Sequence, residues 1–129
     1  MDPLQQLRTL VNDEELGDDA WGDYYLGVGI DFLEGARRAG NAAPILDEVD
    51  GLQGQARRRL LQVLASVPIA AHVRPLLSHL ATAEDETAEV LIGELRSWPL
   101  QEDERAALRE VAGRLRGRSR LLDMVIQTL

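Results

Sequence analysis

The feature that most constrains the fold of this chain is self-similarity at a fixed offset of 31 residues. Pro44-Ile45-Leu46 and Val49 align with Pro75-Leu76-Leu77 and Leu80, and Leu60-Leu61 and Leu64 align with Leu91-Ile92 and Leu95. The run Leu64-Ala65-Ser66-Val67-Pro68 matches Leu95-Arg96-Ser97-Trp98-Pro99, with three identities in five places. A further step lands on Ala107-Leu108, Val111, Leu122 and Ile126, all apolar. One step backwards lands on Ile30 and Leu33, a fainter echo that sets the acid Asp18 opposite Val49. Spacings of three and four make these residues the buried stripes of helices. A repeat holding two such stripes is a helix, a turn and a helix, and neighbouring repeats bury one another's faces.

Local punctuation divides the chain into about eight helices. Asp2-Pro3 supplies an N-cap and a first helical residue for a helix through Val11. Residues 12–19 are polar and acidic and read as a turn. A longer helix is expected over 20–38, closed by Gly40, and the next opens at Asn41 to Pro44 and ends near Asp50-Gly51. Helices are then expected over 53–66, from Pro68 to Ala81, and over 84–97. Pro99 and Glu102-Asp103-Glu104 open the seventh, with acids where they favour the helix dipole. Residues 113–117 break it from an eighth that runs to Leu129. No stretch alternates with period two, so no strand is predicted. Aromatics are only 4% of the residues, so the core must rest on Leu, Val, Ile and Ala, which favours helix packing over a sandwich of strands.

The segment from Arg74 to Trp98 (RPLLSHLATAEDETAEVLIGELRSW) has a proline, a Leu-Leu pair, an acidic turn and an apolar second helix. In this it resembles the HEAT-like α-solenoid family in its short-repeat form. The resemblance is best over 41–129 and weaker over the first 40 residues. It implies an all-α fold, a right-handed α-solenoid of about four stacked helix-turn-helix units. It also implies one domain over 1–129, with 1–40 a divergent N-terminal capping unit and 41–129 three clearer repeats. HEAT-like units often begin their second helix with an Asp and an Arg that tie adjacent repeats; Arg57 fits that place, whereas Thr87-Ala88 breaks it. An irregular helical bundle is the alternative arrangement.

Composition narrows the function classes. The formal net charge is −8, and all 14 basic residues are arginine, a bias expected of a GC-rich, bacterial genome. Acidity argues against a nucleic-acid partner, because a phosphate backbone requires a positive footprint. The absence of cysteine excludes disulfides and thiolate chemistry. No apolar run approaches the roughly 18 residues of a membrane helix. Met1-Asp2-Pro3 lacks the basic and apolar start of a signal peptide. A cytoplasmic protein with no membrane partner is expected. No nucleophile elbow, Ser-His-Asp spacing, metal cluster or phosphate loop is visible, so catalysis, cofactor and metal are not expected.

The candidate sites are few. His72 and His79 are the only histidines; on one helix they would stand about 10 Å apart, too far to share a zinc at about 2 Å each. A surface or half-buried structural role is expected for both. Asp13-Glu14-Glu15 and Asp18-Asp19 form a dense acidic run without the register of a calcium loop. Trp21-Gly22-Asp23-Tyr24-Tyr25 then concentrates three of the five aromatics. Aromatics beside carboxylates suit an interface facing cations; equally, Trp21 and Tyr25 can cover the end of the helical stack while Tyr24 points outward. Gly22, Gly27, Gly29 and Gly35 crowd one helix, which suggests close packing against a neighbour or a local kink. Arg57-Arg58-Arg59 and the series from Arg105 to Arg120 read as solvated helical faces.

A helical-repeat domain of this size offers a binding surface. The expected function is a non-enzymatic protein-binding module for a basic protein, in its concrete form an acidic immunity-type inhibitor of a bacterial toxin or enzyme. Asp18, Asp19, Trp21, Asp23 and Tyr24 are the expected partner-binding residues. The alternative is a scaffold or assembly subunit that docks through the ends of the stack, where Leu122, Met124, Val125, Ile126 and Leu129 lack a polar cap. The acidic N-terminal third and arginine-rich C-terminal third also allow a homo-oligomer.

Overall fold

A computed structural model describes residues 2–129. Among these residues the protein is all-helical, with eight helices and no strand. The chain divides after Val67 into two compact units, so the first 40 residues share a unit with the residues that follow them.

In the first unit, α1 spans Pro3–Val11 and α2 spans residues 18–38. Helix α2 is α-helical over Asp18–Ala20 and Leu26–Arg38, with a π-helical turn at Trp21–Tyr25 between them. Helix α3 (Ala43–Glu48) runs into a 3-10 turn at Val49–Gly51, and α4 spans Gly54–Ala65. Helix α1 packs on α2, α3 and α4, and α2 packs on α4. In the second unit a 3-10 turn at Ala70–His72 leads into α5 (Val73–Ala81), followed by α6 (Asp85–Leu95), α7 (Glu102–Gly113) and α8 (Arg120–Ile126). There α5 packs on α7 and α6 on α8, while each hairpin's own helices also touch. In the second unit, therefore, first helix pairs with first and second with second; in the first unit α2 pairs with α4 in the same way, but α1 packs on α4 as well as on α3.

The helix ends obey local chemistry. The Asp2 carboxylate accepts a hydrogen bond from Gln5 N at 2.9 Å, and Pro3 opens α1. Gln101 and Glu104 form a reciprocal capping box on α7, and Ser119 Oγ accepts from Leu122 N at 3.0 Å to start α8. Helix α2 closes at Gly40 (φ 75°), where Asn41 N donates to Ala36 O and Gly40 N to Arg37 O. That pair of bonds is a Schellman closure, and its left-handed residue is one that favours glycine.

Helix α2 begins at Asp18, two residues before its expected start, and α8 ends at Ile126 rather than Leu129; the largest departure from expectation is at α5. Helix α5 begins at Val73 rather than Pro68. A helix from Pro68 would carry Pro75 in its interior, with its ring against the Ala71 carbonyl and no N–H to donate. Starting at Val73 makes Pro75 the third helical residue, where no intrahelical N–H is required. Pro44 likewise lies in the first turn of α3.

Burial follows the 31-residue offset. Ile45 and Leu76, Val49 and Leu80, Leu60 and Leu91, Leu61 and Ile92, Leu64 and Leu95, and Val67 and Trp98 are all buried. One step on, Leu108, Leu122 and Ile126 are buried, while Ala107 and Val111 are half-buried. Of the four glycines in α2, only Gly29 is in close packing: a Cβ there would lie 2.8 Å from Val63 Cγ2. Nothing lies within 4 Å of the corresponding point at Gly22, Gly27 or Gly35.

Candidate functional site

The acidic run of the first unit rests on one face of α4. Gln55, Arg59 and Gln62 recur at helical spacing and all turn toward residues 13–21. Arg59 is 1% exposed. Its Nη1 donates to the Asp13 carbonyl at 3.2 Å, and its Nη2 donates to the Leu16 carbonyl at 2.6 Å and to Asp18 Oδ1 at 3.3 Å. The guanidinium carbon lies 5.2 Å from the centroid of the Trp21 ring, within cation–π range. Arg59 Nε is buried without a partner, so one donor of this interior cation is unmet. Trp21 is buried beside it, and its Nε1 donates to Gln62 Oε1 at 2.8 Å.

Asp18 Oδ1 gathers three donors: Gln55 Nε2 at 2.8 Å, and Arg58 Nη2 and Arg59 Nη2 each at 3.3 Å. The hydrogen bond from Gln55, then that from Arg59, holds the Asp18 carboxyl below its ordinary range. The side chain is still 66% exposed. Short-range turn bonds complete the loop: Glu15 N donates to Asp13 Oδ1 at 3.1 Å, and Trp21 N donates to Gly17 O at 2.9 Å.

The five residues singled out from the sequence thus take different places. Trp21 is an interior residue of the first unit, 4% exposed, and offers no free face. Asp18 belongs to the clamp that shapes the loop. Asp19 and Asp23 are exposed, and Tyr24 is 67% exposed, its ring edge-on to Tyr25 at 5.0 Å and 83°. Asp13, Glu14 and Glu15 are exposed too, so residues 13–23 carry six outward carboxylates and no cation. The residue that sequence reasoning missed is Arg59, read there as part of a solvated face. It lies two positions after Arg57, the residue expected to tie neighbouring units, and it joins α4 to the loop before α2. Its signal was its position on the stripe that includes Leu60, Val63 and Leu64, which adjoins the apolar face.

The remaining polar features are dispersed. His72 lies in the 3-10 turn rather than on a helix with His79, and it is buried, with Nδ1 unpartnered. That burial pushes its pKa below the ordinary value. A cavity of about 280 Å³ is lined by Asp2, Pro3, Leu4, Ala36, Asn41 and Pro44; its one carboxylate, Asp2, already caps α1. Among the described residues no group of three His, Asp or Glu side chains is placed to hold a metal ion, and no helix is long and apolar enough to cross a membrane. Among the described residues, the large hydrophobics left exposed are Tyr24, Leu121 (64%) and Met124 (57%).

No family model matches the chain, and no curated protein or solved structure matches it either.

Proposed function

We propose that the protein is a non-enzymatic binding module whose acidic face, centred on Asp19, Asp23 and Tyr24 with Glu14 and Glu15, docks a basic protein partner. The reading in its concrete form is an immunity-type inhibitor that neutralises a bacterial toxin or enzyme from within the cytoplasm. The observation that carries it is the Arg59 clamp. A stretch bearing six like charges, three in the loop and three in the opening turns of α2, would ordinarily spread, yet here two loop carbonyls and the Asp18 carboxylate are fixed by a buried guanidinium. A preorganised charged surface limits the ordering cost of binding and raises the association rate for an oppositely charged partner. Pairing of like helices in the second unit, and of α2 with α4 in the first, supports the further proposal that the chain is built from four short HEAT-like hairpins in a solenoid.

The test compares capture of host proteins at low and high salt by the native chain and by a D19R/D23R double variant. The expected result is one basic protein that is bound at low salt, released at high salt and lost to the variant, and whose activity the native chain suppresses. Equal capture by both chains would sink the placement. Asp18 is left intact in this test, because its reversal would unsettle the loop itself.

A second reading, an assembly subunit docking through its C-terminal end, is favoured by one observation. Leu122 and Ile126 of α8 are buried, but Leu121 and Met124 are left outside.

A further inference from the structure

Helix α8 presents Leu121 and Met124, three residues apart and hence neighbours on one face, both more than half exposed. Immediately before them, residues 114–120 hold four arginines and no acid. Arg114 is paired with Glu110 at 2.6 Å and Arg118 with Asp85 at 2.8 Å. Arg116 and Arg120 are exposed and make no ion pair among the described residues. The result is an apolar pair beside two unneutralised cations. The first unit carries the counterpart. Its residues 13–23 hold six exposed carboxylates, of which Asp18 is paired with Arg58 and Arg59, and Tyr24, the remaining exposed large hydrophobic, adjoins them. The exposed large apolar side chains of the described residues thus lie at two places only, one acidic and one basic.

From this complementarity we infer that the α8 face is covered by a second copy of the chain. Leu121 and Met124 of one copy lie against Tyr24 of the next, and Arg116 and Arg120 face Asp19, Asp23 and the glutamates. The contact is heterologous, since the two patches differ, and each copy offers one of each kind. This inference deepens the assembly reading, rests on the same exposed C-terminal face, and names its partner. Because the acidic face is shared with the inhibitor reading, a basic partner and a second copy compete for it.

The test is sedimentation of the purified full chain at about 0.01 M and about 1 M ionic strength, where the Debye length is about 30 Å and about 3 Å. The expected mass exceeds 14.3 kDa and grows with concentration at low salt, and returns to one chain at high salt. Two charge-reversed chains sharpen the result, D19R/D23R and R116E/R120E. Each alone is expected to remain a single chain, because like charges then meet. Mixed in equal amounts they are expected to associate again, since each reversed patch finds its opposite on the other chain.

A native chain that remains single at low salt overturns the inference. So does association that survives in both variants alone, or fails to return on mixing. Failure of the assembly reading is distinguished by L121E/M124E. If the native chain is single but this variant loses a host protein that the native chain captures, another partner covers α8 and only the self-contact is wrong. If that variant and the native chain capture alike, the assembly reading falls as well.

Discussion

Arg59 illustrates how a charged residue can serve the interior. Its stem runs along the stripe that includes Leu60 and Val63, and its head reaches main-chain carbonyls rather than solvent. Arg59→Met keeps the stem and removes the head, leaving the Leu16 carbonyl without its donor and the Asp13 carbonyl with the Leu16 N–H alone. A loss of about 2–4 kcal/mol is expected by urea denaturation. Arg59→Lys is expected to recover only part of this, since one ammonium cannot span both carbonyls and stack on Trp21. His72 gives a second expectation at this scale. Burial lowers its folded pKa below 6.5, so between 6.5 and the folded value the unfolded chain binds the extra proton. Stability is then whole above about pH 6.5 and falls as pH drops through that window, by up to about 1.4 kcal/mol per pH unit. Asp18 and Glu48, whose pKa values are lowered from 3.8 and 4.5, add a separate loss only as pH falls through and below those values. Denaturant midpoints for native and His72→Leu chains at pH 7.5 and 5.5 check this, and the variant is expected to show the flatter profile.

At the scale of the element, α2 shows the most. Its glycines were expected to mark close packing or a kink, and the structure divides those roles. Gly29 meets Val63, while the irregular geometry lies upstream, in the π turn that holds Gly22. Gly29→Ala is expected to destabilise by about 1–3 kcal/mol through overpacking. Gly27→Ala, in open space on the same helix, is expected to stabilise by about 0.5–1 kcal/mol through helix propensity. Opposite shifts in thermal midpoint would verify the distinction. Most helix ends were legible because proline, glycine and acids act locally, within a turn of where they stand. The start of α5 was not, since Pro68 suggests a beginning that Pro75, seven residues on, forbids. Trp21 and Arg59 were hidden for a related reason. Their pairing spans 38 residues of chain, and a π turn shifts the register by which a helical face is read.

For the whole molecule, the sequence placed the core well. Most of the residues marked by the offset of 31 prove to be buried, because helical spacing gathers an apolar stripe on one face; Pro44, at a helix start, is exposed. Where the chain divides was not legible, since the boundary at Val67 and Pro68 resembles its repeat-mate at Trp98 and Pro99 in every local respect. Charge is uneven between the units. Residues 1–67 hold 12 acids against six arginines, and residues 68–129 hold 10 against eight, giving formal charges of −6 and −2. Raising ionic strength from about 0.01 M to about 0.1 M shortens the Debye length from about 30 Å to about 10 Å and screens this self-repulsion. The thermal midpoint is therefore expected to rise with salt, and calorimetry of the native chain against D19R/D23R is expected to show the smaller rise in the variant.

The Arg59 clamp grips the acidic loop by its main chain, and at the head of α2 it holds the side chains of Asp18 and Trp21. Shape and surface chemistry are thereby separated. The side chains at 14, 15, 19 and 23 can be exchanged for others while the mount beneath them stays fixed. A library randomised at those four places, two in the loop and two in the opening turns of α2, should fold like its parent, which would make this stretch a natural position from which to select new binding specificities.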